Sequence, residues 1–253
     1  MMRACLKPRV IHGTPITPNR LLEQLRGESF CVSFAAPAQL ERVLPLQDKN
    51  GMLLLDNGAF SVWRSGKGAI DRKAYFAWAN AACRRSEVAV AVIPDVIEGS
   101  EAQNWQEAAA AVGELAEFPE RLMFVWHMNE SLEGLKRACR LFNFVAIGSC
   151  AEYDVQRARG AYLERLRQVN AVADWVEVRY ARRPWLHLMR GLAVLQEAVR
   201  FNSADSTNVA RNHCRTKGES GHVARMANRI RAEVARAAAR APIGEACQTS
   251  NFG

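Results

Sequence analysis

A chain of 253 residues with 49% hydrophobic content can bury one large core, and α/β barrels of about this length commonly form one domain. Thirty-four Lys and Arg against 26 Asp and Glu leave a formal charge of +8, which suits a polyanionic partner such as nucleic acid and equally a merely basic surface. No apolar run reaches the ~18 residues of a membrane span. Arg3, Lys7 and Arg9 surround a mixed stretch without the apolar core of a secretory leader, so neither a membrane protein nor a secreted one is expected. Cys5, Cys31, Cys83, Cys139, Cys150, Cys214 and Cys247 form no CxxC pair and read as reduced thiols of a cytoplasmic protein.

In chain order, short β-branched or aliphatic runs are expected as strands over 8–12, 30–34, 52–56, 88–94, 121–126, 143–148, 185–189 and 199–204. Apolar residues at three-and-four spacing mark helices over 21–25, 72–83, 102–115, 132–141 and 161–172. The segment 222–240 carries Met226, Ile230 and Val234 on one stripe and is expected as the closing outer helix. Its arginines read as a solvated face more readily than as a nucleic-acid stripe. Alternating strands and helices, with several strands apolar on both faces, predict a single-domain (β/α)8 barrel over 1–241 and a disordered tail over 242–253.

Catalytic groups of such barrels come from the C-terminal ends of several strands, and unusual residues fall there repeatedly in this chain. The third strand ends in Asp56-Asn57-Gly58-Ala59-Phe60 and the fourth in Ile93-Pro94-Asp95. The fifth ends in Trp126-His127-Met128-Asn129, the sixth in Gly148-Ser149, the seventh in His187-Leu188-Met189-Arg190-Gly191 and the eighth in Ala204-Asp205-Ser206. Any single aspartate here has about even odds of being a helix cap. Three converging on one mouth point to chemistry.

In order and spacing these segments resemble the tRNA-guanine transglycosylase superfamily. Leu55-Asp56-Asn57-Gly58-Ala59-Phe60-Ser61 is similar to its Asp-Ser-Gly-Gly-Phe-Gln segment, and Ile93-Pro94-Asp95 stands where the family has its base-reading aspartate. Val125-Trp126-His127-Met128 takes the place of Val-Gln-Gly, Ala146-Ile147-Gly148-Ser149 that of the Gly-Gly stretch, and Leu188-Met189-Arg190-Gly191 that of Leu-Met-Gly. Ala204-Asp205-Ser206 resembles the nucleophile strand, and Val10-Ile11-His12-Gly13-Thr14 with Thr17-Pro18 the opening strand. Counting back without gaps from Arg211-Asn212 places Asn202 on the nucleophilic position instead. Asp205 is preferred because an amide oxygen is a poor nucleophile toward a sugar carbon.

The resemblance implies a (β/α)8 barrel that exchanges guanine for a 7-deazaguanine such as queuine or its precursors through a covalent aspartyl–sugar intermediate. It makes Asp205 the nucleophile and Asp56 the general acid/base. Asp95, His127, Gly148, Ser149, Met189, Asn57 and Phe60 then bind the base. His213, Cys214, His222 and Cys247 lack the spacing of the zinc site of the tRNA-modifying members, so neither metal nor cofactor is expected. Compact zinc-less relatives look most like phage-borne members linked to deazapurine modification of DNA. The expected partner is therefore nucleic acid, DNA favoured over tRNA, the expected location the cytoplasm, that of the host for a phage protein, and a homodimer is left open. Arg182, Arg183 and Arg211 are candidate phosphate contacts, with Arg64 and Lys67 beside them. Trp63, Trp126 and Trp185 are stacking candidates, of which at most one is expected to touch a base. A barrel N-glycosidase and a non-catalytic binding paralogue are the alternatives.

Overall fold

Eight short strands pair in parallel and close in chain order: β1 (Arg9–Gly13), β2 (Ser29–Ser33), β3 (Leu53–Asp56), β4 (Ala89–Val92), β5 (Leu122–His127), β6 (Phe144–Gly148), β7 (Trp185–Leu188) and β8 (Ser203–Ser206), with β8 returning to β1. The computed structural model describes residues 8–66, 69–195, 197, 200–213 and 222–240. Helices α1 (Gln39–Val43), α2 (Ala59–Ser65), α3 (Arg72–Arg85), α4 (Glu101–Ala110), α5 (Leu132–Leu141), α6 (Arg159–Tyr180), α7 (Asn208–Asn212) and α8 (Val223–Arg240) follow or connect the strands. The expected (β/α)8 barrel is the fold.

Strand alternation divides the core into two. Ile11, Met52, Leu54, Val90, Val92, Met123, Val125 and Ala146 fill the barrel interior, while the intervening residues, such as Leu53, Leu55, Phe124 and Trp126, pack beneath the helices. Both faces being dry is why these strands read as near-continuous apolar runs. On α8 the expected stripe of Met226, Ile230 and Val234 is buried.

Helix starts are set by side-chain caps that satisfy orphan N–H groups. Asp71 accepts from Ala74 N at α3 and Ser131 from Gly134 N at α5, and Ser100 with Gln103 forms a complete capping box at α4. Tyr75 on α3 is fully buried, its hydroxyl 2.9 Å from the Leu55 carbonyl and 2.6 Å from that of Val92. That hydroxyl joins the upper ends of β3 and β4, one residue before Asp56 and three before Asp95.

The last strand differs from expectation. The segment 199–204 was expected, and Val199 lies outside the described residues, but β8 occupies Ser203–Ser206. Its inward residues are polar: Ser203 Oγ accepts the Trp185 indole N–H at 2.8 Å and lies 2.9 Å from His187 Nδ1. A strand whose inner face is hydrogen-bonded instead of apolar carries no hydrophobic signature. The helix expected over 161–172 runs from Arg159 to Tyr180, and the segment 21–25 is part of a 3-10 turn, Asn19–Leu25. The tail over 242–253 lies outside the described residues.

Candidate active site

The C-terminal ends of the strands bring Asp56, Asp95, His127 and Asp205 to one mouth, and each carboxylate is held differently. Asp56 closes β3, accepting the Gly58 N–H at 3.2 Å. Burial raises its pKa, and the charges of Asp205 and Asp95 add to that, against hydrogen bonds from Ser33 and Gly58. Gly58 sits at φ 78°, a left-handed turn that L side chains rarely adopt, which folds the chain straight from the strand into α2.

Asp205 shares the mouth but is driven the other way. Burial pushes its pKa up, yet His187, the Arg190 N–H and the Arg190 charge together bring it below the usual carboxylate value. The Arg190 N–H donates to Oδ1 at 2.6 Å, and His187 Nε2 lies 3.3 Å from the same oxygen. The Trp185 indole can only donate, so Ser203 Oγ accepts from it, and the same oxygen meets His187 Nδ1 at 2.9 Å. Asn202, the competing position, lies at the opposite end of β8, where its carboxamide oxygen accepts the Leu186 N–H at 2.8 Å.

Asp95 is anchored on both oxygens. Asn57 Nδ2 donates to Oδ1 at 3.0 Å and to the Ile93 carbonyl at 3.0 Å, while His127 Nε2 lies 3.0 Å from Oδ2. On its other side His127 Nδ1 is 3.3 Å from Glu130 Oε1 and 3.2 Å from Asn104 Nδ2. Burial lowers the His127 pKa, but the two carboxylates outweigh it and raise it from 6.5 to about 9, so the ring is an imidazolium at neutral pH. Gly148 on β6 makes room for that ring, since a Cβ there would come 2.9 Å from His127 Cδ2. Asn57 is thus a strut for Asp95.

Met189 borders the interior cluster, Ser149 is exposed beyond β6, and Phe60 on α2 is half-buried at the rim with the Arg190 guanidinium 3.8 Å from its ring centroid. Arg211, on α7 just after β8, is exposed at this same end. Arg182 and Arg183 are not. They precede β7, at the opposite end of the barrel, and are committed to structure. Arg182 donates to the carbonyls of Cys139, Arg140 and Phe142 and to Asn143 Oδ1, and Arg183 pairs with Asp174 and Asn170. These two corrections share a cause, because a loop before a strand and a loop after it look alike in composition. Trp126 is fully buried, Trp185 lies at the lower end of β7, and Trp63 on α2 is 46% exposed near the mouth. Lys67, Cys214 and Cys247 lie outside the described residues, and the ring nitrogens of His213 lie 2.9 Å from the carbonyls of Val209 and Thr17.

Ser33, Asn104 and Glu130 were not singled out in the sequence, and Cys31, His187 and Arg190 were quoted there without a role in the site. The Cys31 thiol stands between the aspartates, its pKa raised well above normal by burial and by the charges of Asp56 and Asp205. The period-two alternation of β2 and β7 carries the signal for Cys31, Ser33 and His187, since each shares its strand's inward face.

No family model and no curated protein matches the chain. Among solved structures it is similar to the tryptophan synthase A-subunit from the hyperthermophile Pyrococcus furiosus, at 13% identity and a TM-score of 0.51, over 90% of this chain and 96% of that one. A mutant of the same subunit gives 14% identity and a TM-score of 0.52, with the same coverage. At that identity the likeness shows the barrel fold alone. No helix among the described residues is long and apolar enough to cross a membrane.

Proposed function

We propose that the chain is a base-exchange transglycosylase that replaces guanine in nucleic acid, DNA in preference to tRNA, by a 7-deazaguanine through a covalent aspartyl–sugar intermediate. The observation that carries this reading is the opposite setting of two carboxylates on one mouth. Asp205 is kept ionised by His187 and Arg190, while Asp56 is pushed toward its protonated form. Pairs of acids with divergent environments divide into a nucleophile and a proton donor.

Asp205 attacks the anomeric carbon as the bond from that carbon to the guanine nitrogen breaks, through a transition state of oxocarbenium character. The bonding pair leaves with guanine, which takes the proton of Asp56. The incoming 7-deazaguanine loses its ring N–H proton to Asp56, and the freed nitrogen displaces the Asp205 carboxylate. Asp95, fixed as an acceptor by Asn57 and the His127 imidazolium, suits the N–H edge shared by guanine and its 7-deaza analogues. By the resemblance, the Gly148–Ser149 backbone and Met189 complete the contacts to the base. The preference for DNA rests on the resemblance to compact zinc-less relatives, and such an acceptor has to be single-stranded or extruded from the duplex.

The test mixes purified protein with labelled guanine and, separately, double-stranded DNA, single-stranded DNA and unmodified tRNA. Label entering DNA and lost in Asp205→Ala is the expected result. Label entering tRNA alone transfers the same chemistry to the other acceptor. Guanine released into water with no incorporation overturns the transglycosylase reading in favour of an N-glycosidase.

A further inference from the structure

The rim of the mouth carries a tilted aromatic pair with a guanidinium over one ring. Trp63 and Phe60, both on α2, have ring centroids 5.6 Å apart, and the Arg190 guanidinium from the loop after β7 lies 3.8 Å above Phe60. Trp63 is 46% exposed and Arg190 is exposed as well. Arg190 holds φ 53°, a left-handed conformation uncommon for a residue with a side chain, and its own N–H binds Asp205. The backbone geometry serves the nucleophile, and glycine would supply it with less strain. An arginine there supplies the charge that helps hold Asp205 ionised, and its exposed guanidinium over Phe60 is placed to meet a ligand as well.

The mouth is lined by Asp56, Asp95 and Asp205, and Asp205 bears its charge, so a phosphodiester approaching it meets repulsion unless a cation stands at the rim. We propose that Arg190, Phe60 and Trp63 form the docking rail of a single-stranded or extruded nucleic-acid strand. The Arg190 guanidinium takes the phosphate next to the reacting nucleotide, and Trp63 stacks the neighbouring base. The proposal rests on the transglycosylase reading and names which surface receives the acceptor. A planar fork suits a phosphate, and an aromatic face beside a guanidinium suits bases of any sequence.

Fluorescence anisotropy of a labelled guanine-containing single-stranded DNA, titrated over a range of salt concentrations, tests this, with label exchange measured on the same preparations. Arg190→Gly keeps the backbone N–H and the left-handed turn, so a merely structural role leaves binding unchanged. The expected result is a salt slope shallower by about 0.7, the share of one phosphate on a single strand. Arg190→Lys restores the slope without the stacking. Trp63→Ala weakens binding roughly tenfold with the salt slope unchanged, and Trp63→Phe recovers part of the loss. If the wild type exchanges guanine and Arg190→Gly keeps both slope and affinity, the rail is wrong and the transglycosylase stands. If the wild type neither binds nor exchanges, both readings fall together.

Discussion

His127 Nε2 lies 3.0 Å from Asp95 Oδ2 while its Nδ1 faces Glu130 at 3.3 Å, so one imidazole is clamped between two carboxylates. The ring's raised pKa, from 6.5 to about 9, makes a prediction about stability. A histidine raised on folding contributes stability that is complete below its unfolded value near 6.5 and is lost as pH rises through about 9. The shift is worth roughly 3 kcal/mol. Melting scans should show Tm falling across that window, and His127→Gln should flatten the fall. An equal slope in the variant would remove the clamp from the account.

His12 predicts the opposite limb. Burial, then the Arg231 charge, lowers its pKa from 6.5 to about 4, with Glu28 Oε2 3.9 Å away. The unfolded chain binds this proton first, so stability falls as pH drops from 6.5 toward about 4. His12→Gln should reduce the acid sensitivity between those values, read from urea midpoints at each pH.

On the proposed transglycosylase reading, Asp56→Asn should slow guanine release about 100- to 10,000-fold, the usual contribution of a general acid. In the wild type, release measured in a single turnover declines as pH rises through the elevated Asp56 pKa, because the protonated acid is consumed. The variant has no such limb. Persistence of the limb in Asp56→Asn would assign the proton to another group.

Arg182→Ala should cost about 2 kcal/mol, since four acceptors at the lower end of the barrel lose a charged donor. Tm falls by about 5 °C on that scale. Affinity for single-stranded DNA should not change, in contrast to Arg190→Gly. Weakened DNA binding at unchanged Tm would restore Arg182 to the interface.

The barrel was legible because several of its strands, such as β3, β4 and β5, are apolar on both faces, and α5 matches its expected limits at both ends. Asp56 and Asp95 were legible because a carboxylate closing an apolar run has no place in a dry core, whereas Asp205, on the polar strand β8, was found through the resemblance. What composition concealed was direction and pairing. Nothing local distinguishes Arg182, below a strand, from Arg190, above the same strand. Nor does the sequence show that Ser203 hydrogen-bonds Trp185 and His187, which is why β8 was placed several residues early. Asn104 meets His127 only through tertiary packing of α4 against the loop after β5, while Glu130 reaches it through the turn 127–130.

The cavity that Gly148 leaves for the His127 ring ties the histories of two strands together. A methyl at position 148 collides with the imidazole, whereas a shorter residue at 127 tolerates either state. Substitution at 148 is therefore accessible only after 127 has already shrunk, and reversal must retrace the same order. Among related sequences the two positions should vary as a pair, with a histidine at 127 accompanied by glycine at 148.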